Sequence, residues 1–292
     1  MRDDGLAEPA GSRGVLQNIV MWSFWKRSIA TVVYVRAATG LMLYLLGAQP
    51  SIAFDNLRVV RGVLIVEGRI EAGDYASFRN FLSNPSNFNK MNGQVFLASP
   101  GGNVFEALQI GYLIRRLRLS TDAPSRPPPT VRSSGSEIIR PLDLINPRHY
   151  LCTSACFLLY VAGIYREFVW AGRLGLHSPQ IERKPIGANA NDIAVATAEM
   201  RDKLKNYFEQ MQIPNKYFEL MYSVPPMEVR WITQAELNAD LKGYSPEVRA
   251  ILDAKCNVRG VTEDSTDTQR CIAQTKTELR NEAWKKIFQS AM

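Results

Sequence analysis

Histidine is almost absent: 292 residues contain only His149 and His177. A site built on several imidazoles is therefore excluded, and base chemistry near neutral pH has two candidates at most. Cysteine is scarce too. The four cysteines fall as C-x3-C at 152–156 and C-x14-C at 256–271, spacings that match no recognised zinc pattern. No metal and no cofactor is expected. Basic residues are in surplus, with a formal charge of +7, but no stretch interleaves them with aromatics as a nucleic-acid groove does. Nucleic acid is thus not an expected partner, and the surplus implies only a general attraction to anionic surfaces. Internal repeats are missing as well.

What the chain does have is apolar substance. Apolar residues make up 46% of it, enough for a substantial core, and the length suits one large domain or two modest ones. Much of the apolar density near the start lies in one run. Lys26, Arg27 and Arg36 precede the apolar stretch 37–48, and Ser51 and Ala53 follow as small residues before Phe54. That order fits a cleaved secretory signal. Taken as one span interrupted by Arg36, 29–48 also has the length of a membrane anchor; a buried helix is the third reading. The expectation is an exported protein, periplasmic or anchored to the inner membrane, with 1–53 as signal peptide or anchor. In that setting Cys256 and Cys271, flanking the polar "NVRGVTEDSTDTQR", suit a disulfide. A bridge between Cys152 and Cys156 is less favoured, because four residues at a helix start is an awkward span, and both read more simply as small core residues.

From 54 to 245 the pattern is that of a compact α/β domain. "RVVRGVLIVEGRI" holds two β-rich runs around Gly62, and "DYASFRNFLSN" places Tyr75, Phe78, Phe81 and Leu82 on one helical face. "GQVFLAS" is a strand closed by "PGG", and 103–119 is an amphipathic helix with basic residues at its C-terminal end. Residues 120–149 read as a Pro- and Ser-rich surface insertion. "CTSACFLLYVAG" is apolar on nearly all sides, hence a buried helix, and "RLGLHS" is a short strand. Two amphipathic helices follow. "RWITQAELNAD" is a strand turning into a helix, with Thr233 as cap and Glu236 three residues on. The tail 246–292 reads as a helical extension with Trp284, Ile287 and Phe288 as its packing stripe.

Three features carry chemistry. The "SPGG" turn leaves backbone N–H groups exposed ahead of a helix, and its glycines admit close approach by a substrate. Ser154 stands at the start of the buried helix with Thr153 as cap, and the N–H of Ala155 leads that helix. His177 ends the "LGLH" strand and is suited to accept a serine proton. His149, in the loop ahead, carries little weight. Each feature alone is more often structural: a tight turn, a helix cap, a core histidine.

Their order, strand–"SPGG"–helix, then "CTSAC" and a buried helix, then strand–"LGLHSP", resembles the Clp proteases and their crotonase-like relatives. The closest likeness is to exported Clp-like proteins of bacteria that carry C-x-S-A-C at the nucleophile. It covers roughly 59–235. The resemblance implies an α/β fold of the ClpP/crotonase type, a repeated β-β-α spiral with added C-terminal helices, and assembly into homo-oligomers. It implies Ser154 as nucleophile, His177 as base, and the N–H groups of Gly101, Gly102 and Ala155 as oxyanion donors. The reaction implied is acyl transfer on a peptide or protein substrate.

One member of the expected triad is missing. In "EVRWITQAEL", Val229 occupies the place of the family's acid. Glu228 adjoins it, but neighbours on a strand face opposite ways. Asp192 is the other candidate, without motif support. The expected function is a serine hydrolase of the peptidase class. The alternative is a catalytically inactive ClpP-like assembly or binding module. Chemistry on an acyl thioester is a third reading, disfavoured because crotonase-like enzymes place carboxylates where this chain has Ser154.

Overall fold

The computed structural model describes residues 54, 56–123, 150–168, 174–180, 187, 189–258 and 265–290. From residue 54 onward they belong to one compact unit. The fold is mixed α/β. A hairpin opens it, β1 (Asn56–Val60) antiparallel to β2 (Val63–Glu67), turning on Arg61 and Gly62, both at positive φ. Next come α1 (Asp74–Ser83), a turn of helix at Pro85–Phe88, β3 (Gln94–Ala98) and α2 (Val104–Arg116). Asn103 caps α2, its Oδ1 accepting the N–H groups of Phe105 and Glu106. The helix stops before the expected 119 because Arg118 takes a positive φ of 56° and swings the chain into β4 (Ser120–Ala123).

β4 shortens the expected surface insertion. Its four residues, Ser-Thr-Asp-Ala, are all buried in the middle of the main sheet, a place their polarity does not announce. Thr121 is satisfied there by donating to the Tyr160 carbonyl at 2.7 Å. Residues 124–149, with His149, lie outside the described residues.

Beyond them the chain alternates between two sheets. β5 (Cys152–Thr153), β7 (Leu174–Leu176) and β8 (Arg230–Trp231) form the small sheet, in the order β5-β7-β8. β6 (Tyr165–Phe168) and β9 (Gly243–Tyr244) complete the main sheet, in the order β1-β2-β3-β4-β6-β9, whose inner strands β2, β3, β4 and β6 run parallel. After β4 the strands divide between the two sheets, β5, β7 and β8 in the small one and β6 and β9 in the main one. Between them run α3 (Ala155–Val161), α4 (Ala190–Gln210) and α5 (Asn215–Ser223). All seven residues of α3 are buried, as the all-apolar sequence requires. Thr233 and Glu236 form the expected capping box.

The sheet alternation splits the core by face. Leu64, Val66, Val95 and Leu97 join the large cluster with the helices, while Ile65, Phe96, Ala98 and Tyr150 form a smaller one. The tail packs onto the opening segment. α6 (Pro246–Cys256) and α7 (Thr266–Trp284) are joined by the Cys256–Cys271 disulfide, Cα–Cα 5.7 Å. Trp284 stacks on Phe88 with ring centroids 5.4 Å apart and donates from Nε1 to the Leu82 carbonyl at 2.7 Å.

The expectation of an inner-membrane location is corrected. Among the described residues no helix is long and apolar enough to cross a membrane. Segment 1–53, which carried the signal and anchor readings, lies outside the described residues.

Candidate functional site

Three chain segments meet at Ser154. The end of β3 is bonded to the start of β5: Ser99 N–H donates to the Leu151 carbonyl at 2.8 Å, and Thr153 N–H to the Ser99 carbonyl at 3.2 Å. Ser154 N–H donates to the Gly175 carbonyl of β7 at 3.1 Å. The "PGG" turn closes over this junction. A Cβ on Gly101 would lie 2.6 Å from the Ser154 Cβ and 2.7 Å from the Thr153 carbonyl, so glycine there is a packing requirement. Gly102 is equally constrained, since a Cβ would strike the Ile70 carbonyl.

Ser154 sits at φ 57°, ψ −125°, a conformation that disfavours a side chain and is held only because its neighbours over-determine it. The Cys152–Cys156 disulfide brackets it, Cα–Cα 5.1 Å, with both cysteines fully buried. The favoured expectation of two reduced core cysteines is thereby corrected. α3 begins directly after Ser154, whose side chain makes no cap bond. Thr153 is no cap either: it lies in β5 and its hydroxyl donates to the Pro100 carbonyl at 3.0 Å.

The three expected oxyanion donors differ. Gly101 N–H donates to the Ser99 hydroxyl at 3.0 Å and is spent inside the turn. The N–H groups of Gly102 and Ala155 make no hydrogen bond among the described residues. Beside Gly102 opens a cleft of about 380 Å³, lined also by Arg69, Glu71, Phe105, Gln180 and Met200.

His177 is half-buried at the end of β7. Its Nδ1 lies 2.8 Å from the carbonyl oxygen of Ser178; a carbonyl only accepts, so Nδ1 carries the proton. Ser178 is itself pinned to the end of α5. Its N–H donates to the Val224 carbonyl at 2.9 Å, and its hydroxyl reaches the carbonyls of Met221 and Tyr222, each at 3.3 Å, and of Val224. Sequence reasoning missed Ser178 and Ser99. Serine beside an expected site residue was the one signal, and serine occurs too widely to single either out.

Among the described residues no carboxylate joins this group. The β7–β8 register pairs Gly175 with Trp231 and Leu176 with Arg230, and one step further sets Val229 opposite His177. Glu228 is exposed, and its N–H closes a turn onto the Pro225 carbonyl. Asp192 caps α4 with Asn189 and is exposed. Among the described residues no catalytic triad is present, and no hydrogen bond links Ser154 to His177. Clusters of His, Cys, Asp and Glu suited to a metal are also absent among them.

No known protein family matches this sequence, and no curated protein matches it. Among solved structures the chain is similar to a point mutant of ClpP1 from Listeria monocytogenes, at 13% identity and a TM-score of 0.40, covering 61% of this chain and 86% of that one. It is also similar to a point mutant of the 1510-N membrane-bound stomatin-specific protease, at 12% identity and a TM-score of 0.40, covering 66% of this chain and 83% of that one. Likeness at this level is distant and weak.

Proposed function

We propose that the chain acts as an assembly and binding module on a ClpP-like frame, without serine hydrolysis in the conformation seen. One observation carries this reading. The 21 residues of α4 bury only Met200, Leu204, Tyr207 and Phe208, all in its second half. The first half, "ANDIAVATAE", stands clear of the core with Val195 50% exposed. A run of Ala, Ile and Val at a helix surface that no other described residue buries is suited to another copy of the same chain. The segment beside His177 supports a binding role: Trp231 of β8, 40% exposed, and Val229 just ahead of that strand, 38% exposed, are both large apolar side chains at the surface.

The test is oligomeric state. Light scattering over a range of concentrations should find an oligomer in the wild-type chain and a smaller species for Val195→Asp with unchanged circular dichroism. A monomeric wild type would defeat the reading.

A second reading, a serine peptidase, is favoured by the backbone of Ser154. Strain of that kind gathers at reactive groups. Here Ser154 Oγ would attack a peptide carbonyl as His177 Nε2 takes its proton; His177 would return that proton to the amine as the C–N bond breaks, and water would then hydrolyse the acyl-enzyme and free Ser154. The N–H groups of Gly102 and Ala155 would receive the oxyanion. A fluorophosphonate probe separates the two readings: labelling at Ser154 that vanishes in His177→Ala replaces the first with the second.

A further inference from the structure

A second cleft, of about 390 Å³, opens where the C-terminal end of α2 meets the start of α6 and the end of α7, and shares no residue with the cleft beside Gly102. Its two walls differ in kind. On one, α2 and the turn after it present Arg115, Arg116 and Arg118. On the other, Leu279, Ala283 and Ile287 recur at every fourth position and make an apolar stripe. Lys286 stands beside that stripe, in a π-helical turn spanning Lys285–Gln289. Turns of this type are frequent at functional sites.

The charges do not cancel. Glu247 is held by Arg118 at 2.7 Å. Arg116 and Lys286 make no ion pair among the described residues, and Glu282 is the one further acid lining the cleft. Arg115 sharpens the imbalance. Its guanidinium bonds only to neutral acceptors, the carbonyls of Val161 and Met211 at 3.2 Å each and the Met211 sulfur at 3.4 Å. Close by, Arg166 is 3% exposed, with Nε and Nη1 unpartnered among the described residues. Burial first, and Arg166 second, lower the Arg115 pKa to about 10. Buried cations are ordinarily paired, and among the described residues neither Arg115 nor Arg166 makes an ion pair with a carboxylate.

We infer that this cleft binds a small soluble amphiphilic anion, a phosphate monoester whose head meets Arg115, Arg116 and Lys286 and whose short apolar tail lies along Leu279, Ala283 and Ile287. The doubly charged head suits several facing cations better than a single carboxylate does. The volume falls in the range of small-ligand sites. An inorganic anion would leave the apolar wall unused.

The experiment is calorimetric titration of the full chain with n-decyl phosphate below its micellar concentration, alongside inorganic phosphate, decanol and anionic lipid vesicles at fixed ionic strength. Decyl phosphate should bind at least tenfold tighter than either fragment of it. The exposed-site variant Arg116→Ala/Lys286→Ala should weaken it at least tenfold, and Glu282→Gln should tighten it. Ile287→Asp should weaken decyl phosphate and spare inorganic phosphate. If that last variant fails to fold, the opposite shifts of the two charge variants decide. Affinity indifferent to Arg116 and Lys286, or binding to vesicles alone, overturns the proposal.

Discussion

His177 donates from Nδ1 to the backbone carbonyl of its own neighbour, Ser178, over 2.8 Å. A peptide carbonyl thus stands where a carboxylate orients the base in a triad. It fixes the same tautomer, with Nε2 as the free acceptor, but adds no negative charge to stabilise an imidazolium. Long-range nitrogen–carbon NMR of the neutral ring should therefore show Nδ1 protonated. Ser178→Ala, which removes the hydroxyl's bonds to the end of α5 and leaves only the backbone bond to Val224, should loosen the loop and mix the tautomers.

Ser154 holds a costly backbone geometry without a side-chain bond to offset it. Ser154→Gly should stabilise the fold by about 1 kcal/mol, because glycine adopts this region without strain. Denaturant unfolding measures this. Destabilisation would mean that the hydroxyl holds the turn.

Asp122 sits in β4 with Oδ1 unpartnered and Glu167 opposite it in the sheet. Burial, and then Glu167, raise its pKa from 3.8 to about 7. The folded chain therefore keeps a proton that the unfolded chain has released, so stability falls as pH rises from 3.8 through about 7. Burial pushes Asp74 the same way, to about 6, although the N–H groups of Phe54 and Glu71 oppose it. Asp122→Asn should raise Tm at about pH 8 and leave it unchanged at about pH 4. An equal shift at both would point to a packing effect instead.

The two disulfides should part on reduction. Cys152 and Cys156 are fully buried, whereas Cys271 reaches the surface. Mild reductant followed by alkylation should tag 256 and 271 first, and 152 and 156 only on unfolding. Cys256→Ala/Cys271→Ala should cost about 3 kcal/mol, the loop-closure value for a spacing near 15 residues.

Trp284→Ala should cost about 3–5 kcal/mol, since it removes a stacked, buried indole together with its bond to Leu82. Thermal unfolding should remain a single transition if the tail belongs to the same cooperative unit.

Much of the fold was legible where the hydrophobic period was regular, as in α2, or where a cap marked the start of a helix, as in the Thr233–Glu236 box. It failed at β4, whose Ser-Thr-Asp-Ala carries no apolar signal because its burial is supported by partners such as the Tyr160 carbonyl. The site was legible as a set of segments: "SPGG", "CTSAC" and "LGLH" do converge. Its polar wiring was not, since backbone carbonyls and the hydroxyls of Ser99 and Ser178 do that work, and no sequence pattern marks which serine they choose.

Trp284 rests on Leu82 and Phe88 across about two hundred residues of chain, and Arg280 reaches the Met91 carbonyl beside it. During synthesis the helices around Leu82 and Phe88 accordingly lack this cover until residues 280–284 have been made. A nascent chain stalled anywhere before the tail would present that bare apolar ground to whatever chaperone or aggregate meets it first. Helix α7 is therefore what decides whether the apolar surface around Leu82 and Phe88 is safe.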